Sequence, residues 1–195
     1  MFGGAGTTAP IPPIVEGVER WGINNLCLTP SGPRRAKGAT RWFDLHPREH
    51  IDGRRGPAVW GWYRKLLIPL YMWDTFPDLP TSTVYPHEAV REAFGGTRLF
   101  TSSLDWMVAL ALYEGFTEIE LYAFRMGQPN YMHQVGSGRW WLKQCADRGV
   151  KVTHLSPTAL NSIRREVEYK PPQPTSQHLM YGLETTNRSK LYRGR

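Results

Sequence analysis

The period of the hydrophobic positions changes repeatedly along this chain, and each change marks an element. "VERWGIN" (18–24) and "RWFDL" (41–45) are short apolar and aromatic runs bounded by Gly, Asn or Pro, and they predict strands. Between them, "NLCLTPSGPRRAKGAT" has room for one short helical turn before a basic Gly/Pro loop. In "HIDGRRGPAVWGWYRKLL", Trp60, Tyr63 and Leu67 recur at helical spacing, and "IPLYM" after it reads as a strand. "TFPDLPTSTVYP" is expected to be a loop. "YPHEAVREAF" predicts a helix with Pro86 in its first position, where a missing N–H is harmless, and with Gly95 and Gly96 ending it.

The clearest stretch is "RLFTSSLDWMVALALYEGFTEIELYAF". Ser102 with Asp105 three residues on forms a capping-box start, and the run 104–113 is apolar nearly all the way round, so this helix is expected to be buried on most of its surface. Gly115 stops it and "EIELYAF" supplies a strand. "SGRWWLKQCADRG" predicts a further helix, then "VKVTHL" a strand. Strands and helices alternating in this way predict an α/β fold in a single domain over residues 1–161, with a mainly parallel sheet and helices on both faces. Residues 162–195 are polar, contain "KPPQP", and read as an extended or partner-bound tail.

Composition adds a bias toward anions. The 195 residues carry a net charge of +7, and residues 162–195 hold seven Lys/Arg against three Asp/Glu, so the body is only mildly basic. Cys27 and Cys145 have no metal-ligand spacing and read as buried thiols, with the cytoplasm (a host's, if the gene is viral) as the default compartment. "MVALALY" is too short to span a bilayer, and the N-terminus lacks the basic and apolar regions of a signal peptide, so no membrane partner is expected.

In a parallel α/β sheet, ligands sit beyond the carboxyl ends of the strands. That rule selects "GGAGTT" near the N-terminus, Asn24 and Asn25, Asp44 and His46, the segment 72–74, and Arg125 onward. Gly3, Gly4, Gly6, Thr7 and Thr8 are suited to present N–H groups and hydroxyls to phosphate, although only two residues precede them where a strand is expected; a loose leader is the other reading. Asp44 and His46, two apart at a strand end, share a face and suit a base with its orienting carboxylate; turn and capping roles are the alternative. Asn24 and Asn25 suit a base or ribose, or a turn. Ser102 and Ser103 suit an anion at a helix start, or plain capping. Tyr131, His133 and Gln134, flanked by glycines, are expected in a lid or acceptor loop. Arg54, Arg55, Arg64 and Lys65 interleaved with Trp60, Trp62 and Trp73 read either as a strip for unstacked DNA bases or as a helix with solvated cations. One of Trp140 and Trp141 is expected to be available for stacking or for a homo-oligomer interface.

The blocks "WGIN", "RWFDLHP", "IPLYM", "YP" and "TSSLDWMVALALYEGFTEIELY", in this order and spacing, resemble a group of Rossmann-like proteins encoded by bacteriophages. Those in turn are distantly similar to archaeal-type hydroxymethylpterin diphosphokinases and to motility-associated-factor glycosyltransferases. The resemblance implies a first strand ending in a phosphate-binding glycine loop, closed by the serines at 102 and 103. Where the wider set carries Gly-x-Asp, this chain has "AFRM", with a cation at Arg125 in place of the acid. The implied function is a transferase, most directly of glycosyl type, from a nucleotide or nucleotide-sugar to DNA, a modified base or another acceptor. His46 would be the base, Asp44 its partner, and Arg125 the group facing the leaving diphosphate. The sparse acids predict no metal. The rival readings are a non-catalytic protein that binds or sequesters a nucleotide, and a diphosphokinase-like transferase.

Overall fold

The computed structural model describes residues 11–29, 32–122 and 132–154. In chain order the elements are β1 (Trp21–Ile23), a 3-10 turn (Asn24–Leu28), α1 (Gly32–Ala36), β2 (Arg41–Phe43), α2 (Arg48–Tyr63), β3 (Leu70–Met72) and β4 (Ser82–Val84). There follow α3 (His87–Ala93), α4 (Ser103–Tyr113), β5 (Glu118–Leu121), α5 (Met132–Asp147) and β6 (Lys151–His154). Strands β1 to β4 form one sheet in the order β1-β2-β3-β4, and β5 pairs with β6 in a second; every ladder is parallel. The fold is therefore the α/β domain that the alternation predicts. Among the described residues no helix is long and apolar enough to cross a membrane.

Alternation along each strand sends successive side chains to opposite layers. Trp21, Ile23, Phe43 and Leu45 face the layer built by α3, α4 and α5, and Ile119 and Leu121 of β5 join the same cluster. Trp42, Leu70 and Met72 face the other way, onto Ile51, Val59, Trp60 and Tyr63 of α2. Helices thus cover both faces. Gly22 is required where the layers close up: a Cβ there would stand 2.1 Å from the Trp42 ring. Helix α2 breaks at Gly56, whose φ of 65° suits glycine, just before Pro57, which has no N–H to lose.

The sheet extends further than the pattern foretells. "TFPDLPTSTVYP" is not all loop, because Ser82–Val84 pairs with Leu70–Met72 as β4. Pro86 caps α3 from just outside. Helix α5 starts at Met132, so His133 and Gln134 are helical, not part of a mobile loop. The capping box of α4 is present as predicted, and Gly115 follows at φ 83°. Both cysteines are buried, and burial pushes the Cys145 thiol up to about 11.

Candidate functional site

Because β1 to β4 are parallel, their carboxyl ends share one edge, and that edge carries Asn24, Asp44, Trp73 and Tyr85. Asp44 and His46 are brought together there. Asp44 is fully buried; its Oδ1 lies 2.7 Å from His46 Nδ1, and its Oδ2 accepts a 2.5 Å bond from the Tyr63 hydroxyl at the end of α2. The Asp44 N–H donates to the Tyr71 carbonyl of β3 at 3.0 Å, so the ladder itself holds the residue. With both carboxylate oxygens accepting, Nδ1 of His46 carries a hydrogen, and in the neutral ring the lone pair is then on Nε2. His50, in the first turn of α2, stacks on His46 with ring centroids 4.7 Å apart and planes within 9°. Tyr63 and His50 were not selected from sequence; only the packing of α2 over β2 places them.

Asn24 has a φ of 52°, in the left-handed region that Asn tolerates, and its carbonyl accepts from Trp42 Nε1 at 2.9 Å. Its side-chain Oδ1 is buried without a hydrogen-bond partner, an acceptor left unspent at the edge. Asn25 is exposed.

The α4 N-terminus lies toward the same edge, since Trp73, just past β3, packs edge-on against Trp106 at 5.3 Å. Ser102 Oγ accepts the Asp105 N–H at 3.2 Å. Asp105 Oδ2 accepts the N–H groups of Thr101 (2.7 Å) and Ser102 (2.9 Å) and the Ser137 hydroxyl of α5 (2.8 Å). Thr101 and Ser137 hydroxyls also bond to each other. Capping therefore occupies the Ser102 hydroxyl and N–H, while the buried Ser103 Oγ has no partner. Burial, opposed by the Ser137 hydroxyl and these amides, pushes the Asp105 carboxyl up to about 7.

Other predicted positions separate from this edge or fall outside the description. Trp60 and Trp73 are buried, and Trp62 packs on Trp42 at 4.4 Å. Trp60 donates to Asp52, while Arg48 covers the Trp60 and Phe76 rings and, like Arg64, pairs with Asp78. Trp60 and Trp73 belong to the interior and Trp62 is half-buried against Trp42, so the three indoles do not form an open stacking strip for bases. Of the two adjacent tryptophans, Trp141 is buried and Trp140 half-buried, packed edge-on at 4.8 Å. His133 is half-buried, with its imidazole pKa lowered by burial, and Gln134 is buried. Gly3, Gly4, Gly6, Thr7, Thr8, Arg125, Tyr131 and the 162–195 tail lie outside the described residues, as do the Arg54 and Arg55 side chains. Among the described residues no three His, Cys, Asp or Glu side chains are grouped to hold a metal ion.

No family model matches the chain, and neither a curated protein nor a solved structure matches it.

Proposed function

We propose that this protein binds a nucleotide or nucleotide-sugar at the carboxyl edge of its parallel sheet and acts as a transferase, of glycosyl type. The observation that carries this reading is the buried Asp44–His46 pair at the end of β2, with His46 Nδ1 2.7 Å from the carboxylate. In the reaction, His46 Nε2 takes the proton of an acceptor hydroxyl. The acceptor oxygen bonds to the anomeric carbon, the bond from that carbon to the donor's phosphate oxygen breaks, and a nucleoside diphosphate leaves. Gly3, Gly4, Gly6, Thr7 and Thr8 hold the donor phosphates, the unspent Asn24 Oδ1 accepts from the nucleoside, and Arg125 faces the leaving diphosphate. DNA or a modified base is the acceptor class the phage resemblance favours.

The test is release of nucleoside diphosphate from a panel of nucleotide-sugars, with and without DNA. His46→Gln is expected to lower the rate about 10²–10⁴-fold, the usual worth of a general base. An unchanged rate removes His46 from the chemistry. The non-catalytic reading has one observation in its favour, since His46 is only 5 % exposed. A nucleotide that raises the melting temperature and is never turned over would select it.

A further inference from the structure

The segments that lead into β1 and β5 enclose a cavity of about 370 Å³. Its inner side is apolar: buried Trp21, Ala111 and Ile119 line it, with half-buried Phe116 beside them. Its outer side is apolar too, since Val15 and Val18 line it and both stand exposed. Eight large apolar side chains are exposed among the described residues, and four of them, Ile11, Ile14, Val15 and Val18, fall within residues 11–18. Scattered exposed apolar residues are ordinary, but a cluster of them at the mouth of an apolar cavity marks a contact surface. This segment has its own support. The Val18 N–H donates to the Val15 carbonyl at 3.2 Å around Gly17, whose φ is 74°. Behind it the Arg20 guanidinium donates to the Lys37 carbonyl at 2.5 Å, and Gly38 leaves room for Ile14, whose Cδ1 would stand 3.0 Å from a Cβ there.

Charge specifies the occupant. The whole chain carries +7, yet Glu19, Glu118 and Glu120 line this cavity against one cation, Arg20. Arg20 is buried and turned to the Lys37 carbonyl, whereas Glu118 and Glu120 are exposed on β5. Glu19 accepts from Trp21 Nε1 and pairs with Arg41, and Glu120 Oε2 accepts from the Tyr122 hydroxyl at 2.7 Å. Glu118 pairs with Lys151 at 2.6 Å, but both side chains are more than half exposed, and an ion pair in water exchanges at little cost. A cation arriving here meets exposed carboxylates, and an arriving carboxylate is repelled. The volume lies near the lower end of the range of about 300–1,000 Å³ usual for ligand sites, which suits one large side chain better than a whole cofactor. We infer that this cavity and the 11–18 patch dock a partner protein through one aromatic or large aliphatic side chain flanked by Lys or Arg. The apolar group enters over Trp21, Ala111 and Phe116, and the cation lies against Glu118 and Glu120. An apolar anchor in a pocket with a polar rim is how binding hot spots are built. The inference does not depend on the transferase reading. Residues 18–20 and 116–117 lead into the amino ends of β1 and β5, whereas Asp44 and His46 occupy the carboxyl edge.

Acetyl-Lys-Trp-Lys-amide, titrated into the full chain without nucleotide and followed residue by residue by NMR, tests the inference. The amides of Val18, Trp21, Phe116 and Glu118 are expected to shift with a Kd of about 1 mM or tighter, while Leu70 in β3 stays in place. Acetyl-Glu-Trp-Glu-amide and acetyl-Lys-Ala-Lys-amide should bind at least about tenfold more weakly, the first for its charge and the second for want of an anchor. Val18→Lys, at an exposed position, should weaken the first peptide by a similar factor. No shifts, shifts centred elsewhere, a control peptide that binds equally well, or Val18→Lys binding as the parent does overturns the proposal. So does movement of the same amides when the protein alone is diluted, which assigns the surface to a second copy. Should Val18→Lys fail to fold, the double variant Glu118→Gln, Glu120→Gln decides. Weaker binding of the Lys-Trp-Lys peptide supports the docking site, and unchanged binding refutes it.

Discussion

Asp44 and Asp105 are both fully buried, and both carry several hydrogen bonds, yet their oxygens are used in opposite ways. Both oxygens of Asp44 accept from side chains, one from the His46 imidazole and the other from the Tyr63 hydroxyl. Asp105 directs its Oδ2 at the amides of Thr101 and Ser102 and the hydroxyl of Ser137, while its Oδ1 has no partner. The first arrangement orients a titratable ring and fixes its tautomer. The second ties a helix start to its neighbour α5. Burial alone therefore does not mark a reactive carboxylate. What separates the two is the identity of the donors.

The sharpest way to break the comparison is Asp44→Asn. Neither oxygen position of Asp44 is idle, so an amide must turn its NH2 against the Tyr63 hydroxyl or against the Nδ1–H of His46. Facing His46, it reverses the tautomer and removes the lone pair from Nε2. Nucleoside diphosphate release is expected to fall by about 10²–10⁴-fold, on the scale of losing a general base. Turnover equal to the parent chain would show that the pair serves structure only, as Asp105 does.

At Asp105 the same substitution should be mild, and truncation should not. Asn can keep its carbonyl on the amides and the Ser137 hydroxyl and place its NH2 where Oδ1 has no partner. Asp105→Ala removes the capping box and leaves buried donors unmet, at a cost of about 3 kcal/mol. For a chain of this size that lowers the melting temperature by roughly 6–12 °C. The pH dependence sharpens the contrast. Burial raises the Asp105 carboxyl to about 7, so the folded protein holds a proton that the unfolded chain gives up near pH 4. The stability this group contributes is full below about pH 4 and is lost as pH rises through about 7. Thermal melts of the parent chain and of Asp105→Asn at pH 5 and pH 8 check the sign, because the parent alone should lose stability on this account. A parent no less stable at pH 8, relative to the variant, would contradict the raised carboxyl.

How far each region was legible in the sequence follows from how far its partners lie along the chain. Helix α4 could be read because Ser102 and Asp105 are three apart and the apolar run behind them is unbroken. Asp44 and His46 could be paired because two residues in an extended segment share a face. Tyr63 and Ser137 could not, since they stand 19 and 32 residues from the carboxylates they bond, and only packing of α2 and α5 brings them in. Strand β4 was hidden for another reason. Thr83 and Val84 are exposed and prolines flank the segment, so its existence rests on backbone pairing with β3 and leaves no apolar alternation to find. The basic and aromatic stretch 54–73 reads alike as a stacking strip or as a core-facing helix; burial of Trp60 and Trp73 decides for the core.

The smallest expected effect tests whether Asp44 owes its role to both of its donors. Tyr63→Phe leaves the ring in place against Trp60 and Trp62 and removes only the hydroxyl. One oxygen of a fully buried carboxylate then lacks that donor, which costs about 1–3 kcal/mol of stability. His46 Nδ1–H still finds the other oxygen, so turnover should fall by no more than about tenfold, far less than in Asp44→Asn. Nitrogen shifts of the His46 ring, read by NMR, separate the two variants directly. Tyr63→Phe should keep the hydrogen mainly on Nδ1, whereas Asp44→Asn with its NH2 turned toward the ring should move it to Nε2. If Tyr63→Phe also moved it, the phenol and not the carboxylate alone would be fixing the ring, and the proposed catalytic unit would have to be drawn as three residues instead of two.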